Sequence, residues 1–251
     1  KLLLSASSSY PRACFTTVVK DNPQNPPMFC MLLRKHLNGG KIINIIQPSF
    51  ERILEIHIES LNEMGDMSTK RLILEIMGRH SNIILVNENN TILDSIKHIS
   101  LDKSSVRPVL PGQQYVLPPS NNKISPINLD KDCFKNRLLQ KNISVQKSLY
   151  QNYNGLSPLI ASEICSQSNI NFDLMTTELS ENQIDILYNK FRNIINNICN
   201  EQFNPIIFYD ENNNPIDFYC FKLNCYKNYT YYDSISEVIE NFYKLSDILY
   251  R

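Results

Sequence analysis

The sequence predicts an α+β fold, in which a mostly antiparallel β region is followed by a helical region. Short apolar runs of strand length, separated by turn residues, fill the first half of the chain, whereas apolar residues at helical spacing dominate the second half. The chain has 251 residues, more than the usual size of one domain. We therefore predict a β-rich domain over 1–122, a helical domain over 123–200, and a β-hairpin with the start of a further helix over 201–251.

The first elements are two strands and a helix. KLLLSA and CFTTVV are strand-like and lie on either side of the turn-rich stretch SSSYPR. A helix is predicted in MFCMLLRKHLNGG, where a proline pair suits its start and Gly39-Gly40 suit its end. Met28, Met31 and Leu32 fall on one stripe of this helix, which predicts that most of it is buried.

Five more strands follow, in KIINIIQ, RILEIHIES, KRLILEIM, NIILVN and TILDSIKHI, and the last two form a hairpin through ENN. Glu55, His57 and Glu59 share one face of the second of these strands. That row could bind a metal, but a solvated face of an antiparallel sheet is the preferred interpretation. The extended stretch RPVLPGQQYVLPP then marks the edge of the domain.

Four helices are predicted next, in KDCFKNRLLQKN, VQKSLYQNYN, SPLIASEICSQS and ENQIDILYNKFRNIINNICN. The turn NGLSP resembles a helix-hairpin-helix turn, whose backbone N–H groups can hold a phosphate. Gly155 permits the tight turn and Ser157 suits the N-cap, although a plain αα-hairpin stays open as the alternative. A hairpin in PIIFYDENNNPIDFYCFKL precedes a last helix that reaches Arg251 without a capping signal, which predicts that more protein follows.

Charge and composition narrow the classes of partner only slightly. The chain balances 25 Lys and Arg against 25 Asp and Glu. Residues 1–120 hold 13 basic and 10 acidic residues, a net charge of +3, whereas residues 121–251 hold 12 and 15, a net charge of −3. An anionic partner is therefore expected to prefer the first half. No apolar run approaches the roughly 20 residues of a membrane span, so no membrane is predicted as a partner.

Chemistry-bearing motifs are scarce. Seven cysteines are scattered without a C-x-x-C pair, so zinc is not expected, and unpaired cysteines are typical of a reducing cytosol. The sequence holds no nucleophile motif, phosphate loop or metal-binding motif. It therefore predicts a binding protein without a cofactor, a metal or a catalytic residue. The first residue is Lys1 and not Met, which predicts a fragment without its original N-terminus.

Four stretches suggest contact with nucleic acid. Each places cationic or titratable side chains at a turn or an element end, where a sheet could gather them into a basic rim. The candidate residues are Arg12, Arg34, Lys35, Arg79, His80, Lys97 and His98. Ordinary surface charge stays open as the alternative for each.

The order of several segments resembles one protein family. LLLSASSSYPR, NPPMFCMLLRKHLNGGKI, EIMGRHSNIILVN, ILDSIKHIS, RPVLPGQQYVLPP and GLSPLIASEI follow one another as in the N-terminal portion of the NFACT proteins. That family includes the bacterial RqcH-like ribosome quality-control factors, also described as fibronectin-binding protein A (FbpA). The resemblance spans essentially the whole chain.

This resemblance implies a fold and a function. It implies a first domain like the N-terminal domain of formamidopyrimidine-DNA glycosylases, then a helix-hairpin-helix domain and a helix that leads to a coiled coil. It also implies a cytoplasmic factor that binds the large (50S) ribosomal subunit, peptidyl-tRNA and alanyl-tRNA. Such a factor supports template-free alanine tailing of stalled nascent chains. The ribosome supplies the peptidyl-transfer chemistry, so the implied protein is a binding factor and not an enzyme.

The family also has an acid–arginine couple needed for tailing, and Glu51 and Arg52 occupy its position here. From pattern alone these two residues are a solvated pair at the start of a strand. The family acid is aspartate, so Glu51 keeps the charge and adds one methylene. Because an arginine fork binds anions through directed hydrogen bonds, the resemblance implies that Arg52 and Glu51 engage tRNA. The older family name implies an alternative, a fibronectin-binding adhesin at the cell surface.

Overall fold

The computed structural model describes residues 1–19, 21–62, 64–101 and 107–249. Contacts divide the chain into two compact units, Lys1–Pro119 and Ser120–Arg251. The predicted end of the last helix at Arg251 lies outside the described residues. The three-domain division made from the sequence stays a prediction.

The first unit contains two antiparallel sheets and one helix. Strands β1 (Leu2–Ser5) and β2 (Arg12–Phe15) form a hairpin, and helix α1 spans Met28–Leu37. Five strands then form an antiparallel sheet in the order β3-β4-β5-β6-β7. Their bounds are Lys41–Ile46, Ile53–Leu61, Met67–Glu75, Asn82–Val86 and Ile92–Ser95.

Alternating side chains give this sheet two buried faces. Ile53, Ile73 and Ile84 lie on one face beneath Val109 and Tyr115 of the segment after β7. On the opposite face, a second cluster joins β5 and β6 to Ala6 and to Phe29 of α1. The proline-rich stretch that the sequence places at a domain edge therefore also covers the sheet, because its two apolar side chains complete the core.

Helix α1 is more exposed than its sequence predicts. None of its residues is buried, and Met28 and Met31 are 84% and 48% exposed. The helix packs on the sheet through the neighbouring stripe, which holds Phe29. The prediction of a mostly buried helix is wrong, because both stripes are apolar and periodicity alone does not decide which of them meets the sheet.

The second unit begins with four helices. Helices α2 to α5 span Lys131–Leu139, Val145–Asn152, Pro158–Gln167 and Glu181–Cys199. Phe134, Tyr153, Tyr188 and Phe191 form an aromatic cluster among them, with ring centroids 4.9 to 6.0 Å apart. Large aromatic side chains contribute strongly to core packing, so this cluster is the centre of the helical part.

A three-stranded sheet and a last helix complete the second unit. Strands β8 (Ile206–Tyr209), β9 (Pro215–Tyr219) and β10 (Asn228–Tyr231) pair in the order β10-β8-β9, and α6 spans Ile235–Leu249. Sequence reasoning finds β8 and β9 and misses β10, which has only four residues and no buried one. All seven cysteines are free. Within the described ranges, no helix is long and apolar enough to cross a membrane.

Candidate nucleic-acid interface

Glu51 and Arg52 lie directly before β4, at one end of the large sheet. Arg52 is exposed and Glu51 is half-buried. In the part of the chain that the structure describes, neither side chain forms an ion pair or a hydrogen bond. The two side chains are therefore available for a partner, and they are not an internal salt bridge.

A strained turn positions this couple. It is a 3-10 turn over Pro48–Phe50, in which Ser49 and Phe50 have φ values of 52° and 61°. A left-handed conformation is uncommon for residues other than glycine and most unfavourable for bulky ones. Gln47 holds the turn, because its Nε2 donates to the carbonyl oxygen of Glu51 at 2.7 Å. Strain of this kind clusters at functional sites, which makes this sheet end a candidate site.

A second turn carries two more of the predicted residues. It spans Gly78–His80 between β5 and β6, and Arg79 and His80 are exposed there. Arg79 Nε donates to His80 Nε2 at 3.0 Å. Lys97 Nζ donates to the carbonyl oxygen of Arg79 at 3.4 Å. The three residues thus meet at one corner of the sheet.

The couple before β4 belongs to the same sheet end. Ile76 N donates to the carbonyl oxygen of Arg52 at 2.9 Å, which joins the residue after β5 to the residue before β4. We call Arg52, Arg79 and Lys97, with His80 beside them, the cationic corner. Cations gathered at one sheet end can contact the phosphates of a nucleic-acid strand.

Arg34 and Lys35 lie elsewhere, at the C-terminal end of α1. Ser60 Oγ donates to the carbonyl oxygen of His36 at 2.7 Å, which places this end of the helix beside the end of β4. A strand rises about 3.3 Å per residue, so Ser60, eight residues further along the chain, lies about 26 Å from Arg52. The structure therefore does not bring these two cations to the cationic corner.

Arg12 and His98 have partners within the first unit. Arg12 Nη1 donates to the carbonyl oxygen of Tyr10 at 2.9 Å. His98 Nε2 lies 2.6 Å from Asp94 Oδ1 and borders an apolar groove of 810 Å³. His98 follows Lys97 directly, but its ring is paired with an acid. Their predicted contacts with nucleic acid stay predictions.

The turn between α3 and α4 has the predicted local structure. Gly155 has a φ of 74°, in the region that favours glycine. Ser157 caps α4, because its Oγ accepts from Ile160 N at 3.4 Å, and Pro158 is the first helical residue. The geometry is that of a short αα-hairpin, and the phosphate-binding role of this turn stays a prediction.

Sequence reasoning missed a buried polar network beneath the segment that follows β7. Arg107 donates twice to Glu75, from Nη1 to Oε1 at 2.8 Å and from Nη2 to Oε2 at 2.6 Å. Tyr115 Oη donates to Glu75 Oε1 at 2.9 Å. The Glu75 side chain is only 1% exposed. A buried carboxylate needs such a partner, so this ion pair fixes the covering segment to the sheet.

Burial and the neighbouring Glu75 shift the pKa values of Tyr115 and Arg107. Burial raises the pKa of Tyr115 strongly, and the charge of Glu75 raises it further. Burial lowers the pKa of Arg107, but the hydrogen bond and charge of Glu75 outweigh that effect and raise the pKa above its ordinary value. Tyr115 therefore stays neutral and Arg107 stays charged near neutral pH.

Glu55 contradicts the expected solvated face of β4. It is 5% exposed, and its Oε2 lies 3.2 Å from both His57 Nε2 and Arg71 Nη1. Arg71 pairs with His57 in register and also donates to Asn90. The interpretation of Glu55, His57 and Glu59 as a solvated row is wrong at Glu55, because the neighbouring strand supplies a cation. No cluster of three or more potential metal ligands occurs among the residues described.

Fold and site together define an α+β protein whose β-rich unit exposes cations at one sheet end. Residues 1–248 match the family model for the NFACT N-terminal and middle domains, and the chain belongs to this family. A Bacillus subtilis (strain 168) protein named Rqc2 homolog RqcH is 48% identical over 164 residues, which are 65% of this chain and 29% of that protein. The matched part thus spans less than a third of that relative's length. The predicted family membership is confirmed.

Two solved structures support the fold. The fibrinogen binding protein from Staphylococcus aureus has a TM-score of 0.77 at 33% identity, over 96% of this chain and 82% of that one. The N-terminal part of the fibronectin/fibrinogen-binding protein from Streptococcus suis has a TM-score of 0.76 at 29% identity, over 97% and 82% of the two chains. The predicted α+β class with antiparallel sheets is confirmed.

Proposed function

We propose that this chain belongs to a cytoplasmic factor of ribosome-associated quality control that binds the large ribosomal subunit and tRNA. The observation that carries the proposal is the 48% identity to the Bacillus subtilis protein named Rqc2 homolog RqcH. In this role the factor recruits alanyl-tRNA and supports template-free alanine tailing of stalled nascent chains. The ribosome supplies peptidyl transfer, so the factor is a binding protein and not an enzyme.

The site supports this role through its exposed cations. Arg52 is exposed beside a turn with two left-handed residues, Ser49 and Phe50. Arg79 and Lys97 stand at the same sheet end, with His80 beside them. An unpaired guanidinium with further cations beside it suits the phosphate backbone of tRNA.

Cosedimentation of the full chain with large ribosomal subunits and labelled alanyl-tRNA tests the proposal. A charge-assisted hydrogen bond contributes about 1.5–3 kcal/mol, so Arg52→Ala is expected to weaken tRNA recruitment by roughly tenfold or more. Glu51→Ala is expected to weaken it less. Glu51→Asp, which restores the family's acid, is expected to keep full recruitment.

The matched control is Arg192→Ala, which removes an exposed arginine from α5 in the second unit. It is expected to leave recruitment unchanged. Normal recruitment by both Arg52→Ala and Glu51→Ala would show that the site is assigned wrongly. Failure of the unmodified chain to sediment with the subunit would contradict the function itself.

A second function is favoured by the two solved structures, whose names describe fibrinogen and fibronectin/fibrinogen binding. Direct binding of the full chain to immobilised fibronectin and fibrinogen tests it. Saturable binding that survives Arg52→Ala, without ribosome association, would favour the adhesin. Absence of such binding, with ribosome association intact, would favour the quality-control factor.

A further inference from the structure

The second unit contains a polar cleft of 770 Å³ that no predicted site residue lines. It lies between the segment before α2, the C-terminal end of α2, and α3. Its lining contains three cations, six amide and hydroxyl side chains, two isoleucines and no carboxylate. The lining residues are Asn121, Asn122, Lys123, Ile124, Arg137, Gln140, Lys141, Ile143, Ser148, Gln151 and Asn152.

The charge of the cleft contrasts with its surroundings. Residues 121–251 hold 12 basic and 15 acidic residues, a net charge of −3, whereas the cleft lining carries +3 from Lys123, Arg137 and Lys141. Within the described part of the chain, none of these three side chains pairs with a carboxylate. A concentration of unpaired positive charge in an acidic unit attracts anions locally.

Two lysines on α2 lie outside the cleft and pair with acids of α5. Lys131 Nζ lies 2.6 Å from Asp185 Oδ1, and Lys135 Nζ lies 2.6 Å from Glu181 Oε1. Both lysines thus have carboxylate partners on α5. The cleft cations have no such partner among the described residues, although Arg137 belongs to the same helix.

The C-terminal end of α2 repels an anion less than a helix end with unsatisfied carbonyl groups would. Helix C-termini carry partial negative charge on their last carbonyl groups. Here the carbonyl oxygen of Arg137 accepts from Asn152 Nδ2 at 3.1 Å, and that of Leu138 accepts from Ser148 Oγ at 3.2 Å. These side chains satisfy two of the carbonyls that face α3, and the cations then dominate the field of the cleft.

The cleft is held by the fold. Arg137 Nη1 donates to the carbonyl oxygen of Asn122 at 3.3 Å, which ties α2 to the segment before it. Ile124 N donates to the carbonyl oxygen of Asn152 at 3.0 Å, which ties that segment to the end of α3. A preorganised site loses less conformational entropy when a ligand binds.

We propose that this cleft binds the phosphodiester backbone of single-stranded RNA, at a site separate from the cationic corner. Ligand pockets hold about 300–1,000 Å³, so 770 Å³ suits a nucleotide segment better than one phosphate ion. The exposed amides of Asn121, Gln140 and Gln151 offer donors and acceptors to base edges. The inference rests on the proposed function in one respect, which is the choice of RNA as the anion.

The test measures binding of the full chain to a fluorescent 12-nucleotide oligouridine by anisotropy, across a salt series. Binding to single strands weakens with a logarithmic salt slope of about −0.7 per phosphate contact. A variant with Lys123→Gln and Lys141→Gln is therefore expected to bind roughly tenfold more weakly and to lose about 1.4 from the magnitude of the slope. The matched control carries Lys131→Gln and Lys135→Gln, with the same change in net charge, and is expected to keep the unmodified slope.

Three outcomes would overturn the proposal. The first is an unchanged affinity and slope in the cleft variant, and the second is an equal loss in the control. The third is binding of inorganic phosphate that the cleft variant loses while its RNA affinity stays unchanged. Oligouridine binding requires no ribosome, so loss in the cleft variant combined with failed ribosome cosedimentation would leave this proposal standing and refute only the proposed function.

Discussion

Glu75 and Arg107 show at the scale of single residues how the first unit holds its covering segment. The carboxylate is 1% exposed and the guanidinium side chain is 12% exposed, so the pair is largely removed from water. Removing one charge of such a buried pair costs far more than the pair itself contributes to stability.

Glu75→Gln is therefore expected to lower the free energy of unfolding by about 3 kcal/mol or more. Urea denaturation followed by circular dichroism measures this change. The control is Glu88→Gln in the exposed hairpin between β6 and β7, which is expected to change stability by less than about 0.5 kcal/mol. Equal urea concentrations at the unfolding midpoint for the two variants would mean that Arg107 is solvated despite its position.

At the scale of elements, alternation and turn residues predicted β3 to β7, because a strand with one apolar face leaves a period of two in its sequence. The same reasoning failed for β10, whose four residues bury nothing. It also failed for Glu55, since Arg71 becomes its partner only when β4 and β5 pair. Hairpin register could have revealed that contact, because His57 opposite Arg71 puts the cation beside the row of Glu55.

Some residues of the candidate site could be predicted from the sequence, and others could not. The family resemblance selected Glu51 and Arg52, and the closeness of Arg79 to Lys97 follows from the order of the sheet strands. No local pattern could place Arg34 and Lys35 at the far end of the sheet, because that depends on the direction in which α1 crosses the sheet. The left-handed turn at Ser49 has no signal in its sequence, since no glycine marks it.

The turn between α3 and α4 offers a prediction at the scale of elements. Loss of an N-cap costs about 1 kcal/mol, so Ser157→Ala is expected to lower the unfolding free energy by that amount. Gly155→Ala is expected to lower it by about 1–2 kcal/mol, because alanine resists a left-handed conformation. Urea denaturation measures both, and Ser166→Ala, at an exposed position of α4, serves as the control. A stability equal to the control in both variants would mean that the turn does not anchor the helix.

At the scale of the whole molecule, each of the two units has its own hydrophobic core. The first unit buries Ile73 and Ile84 completely, and the second buries Phe134 and Leu149 completely. Separate cores allow separate local unfolding, which amide hydrogen exchange can detect. The opposite net charges of the two halves could be predicted from the sequence. The polar cleft could not, because its lining comes from three segments that only the fold brings together.

Hydrogen exchange measured by mass spectrometry tests whether the two units unfold separately. Glu75→Gln is expected to speed exchange in β4 to β6 and to leave α5 unchanged. Phe134→Ala removes a fully buried ring that lies 5.1 Å from Phe191, at a cost of about 3–5 kcal/mol. It is expected to speed exchange in α2, α3 and α5 and to leave β4 to β6 unchanged. If each variant instead speeds exchange in both units equally, the chain unfolds as one cooperative body, and a substitution in either unit would then weaken RNA binding at the cationic corner and the cleft alike.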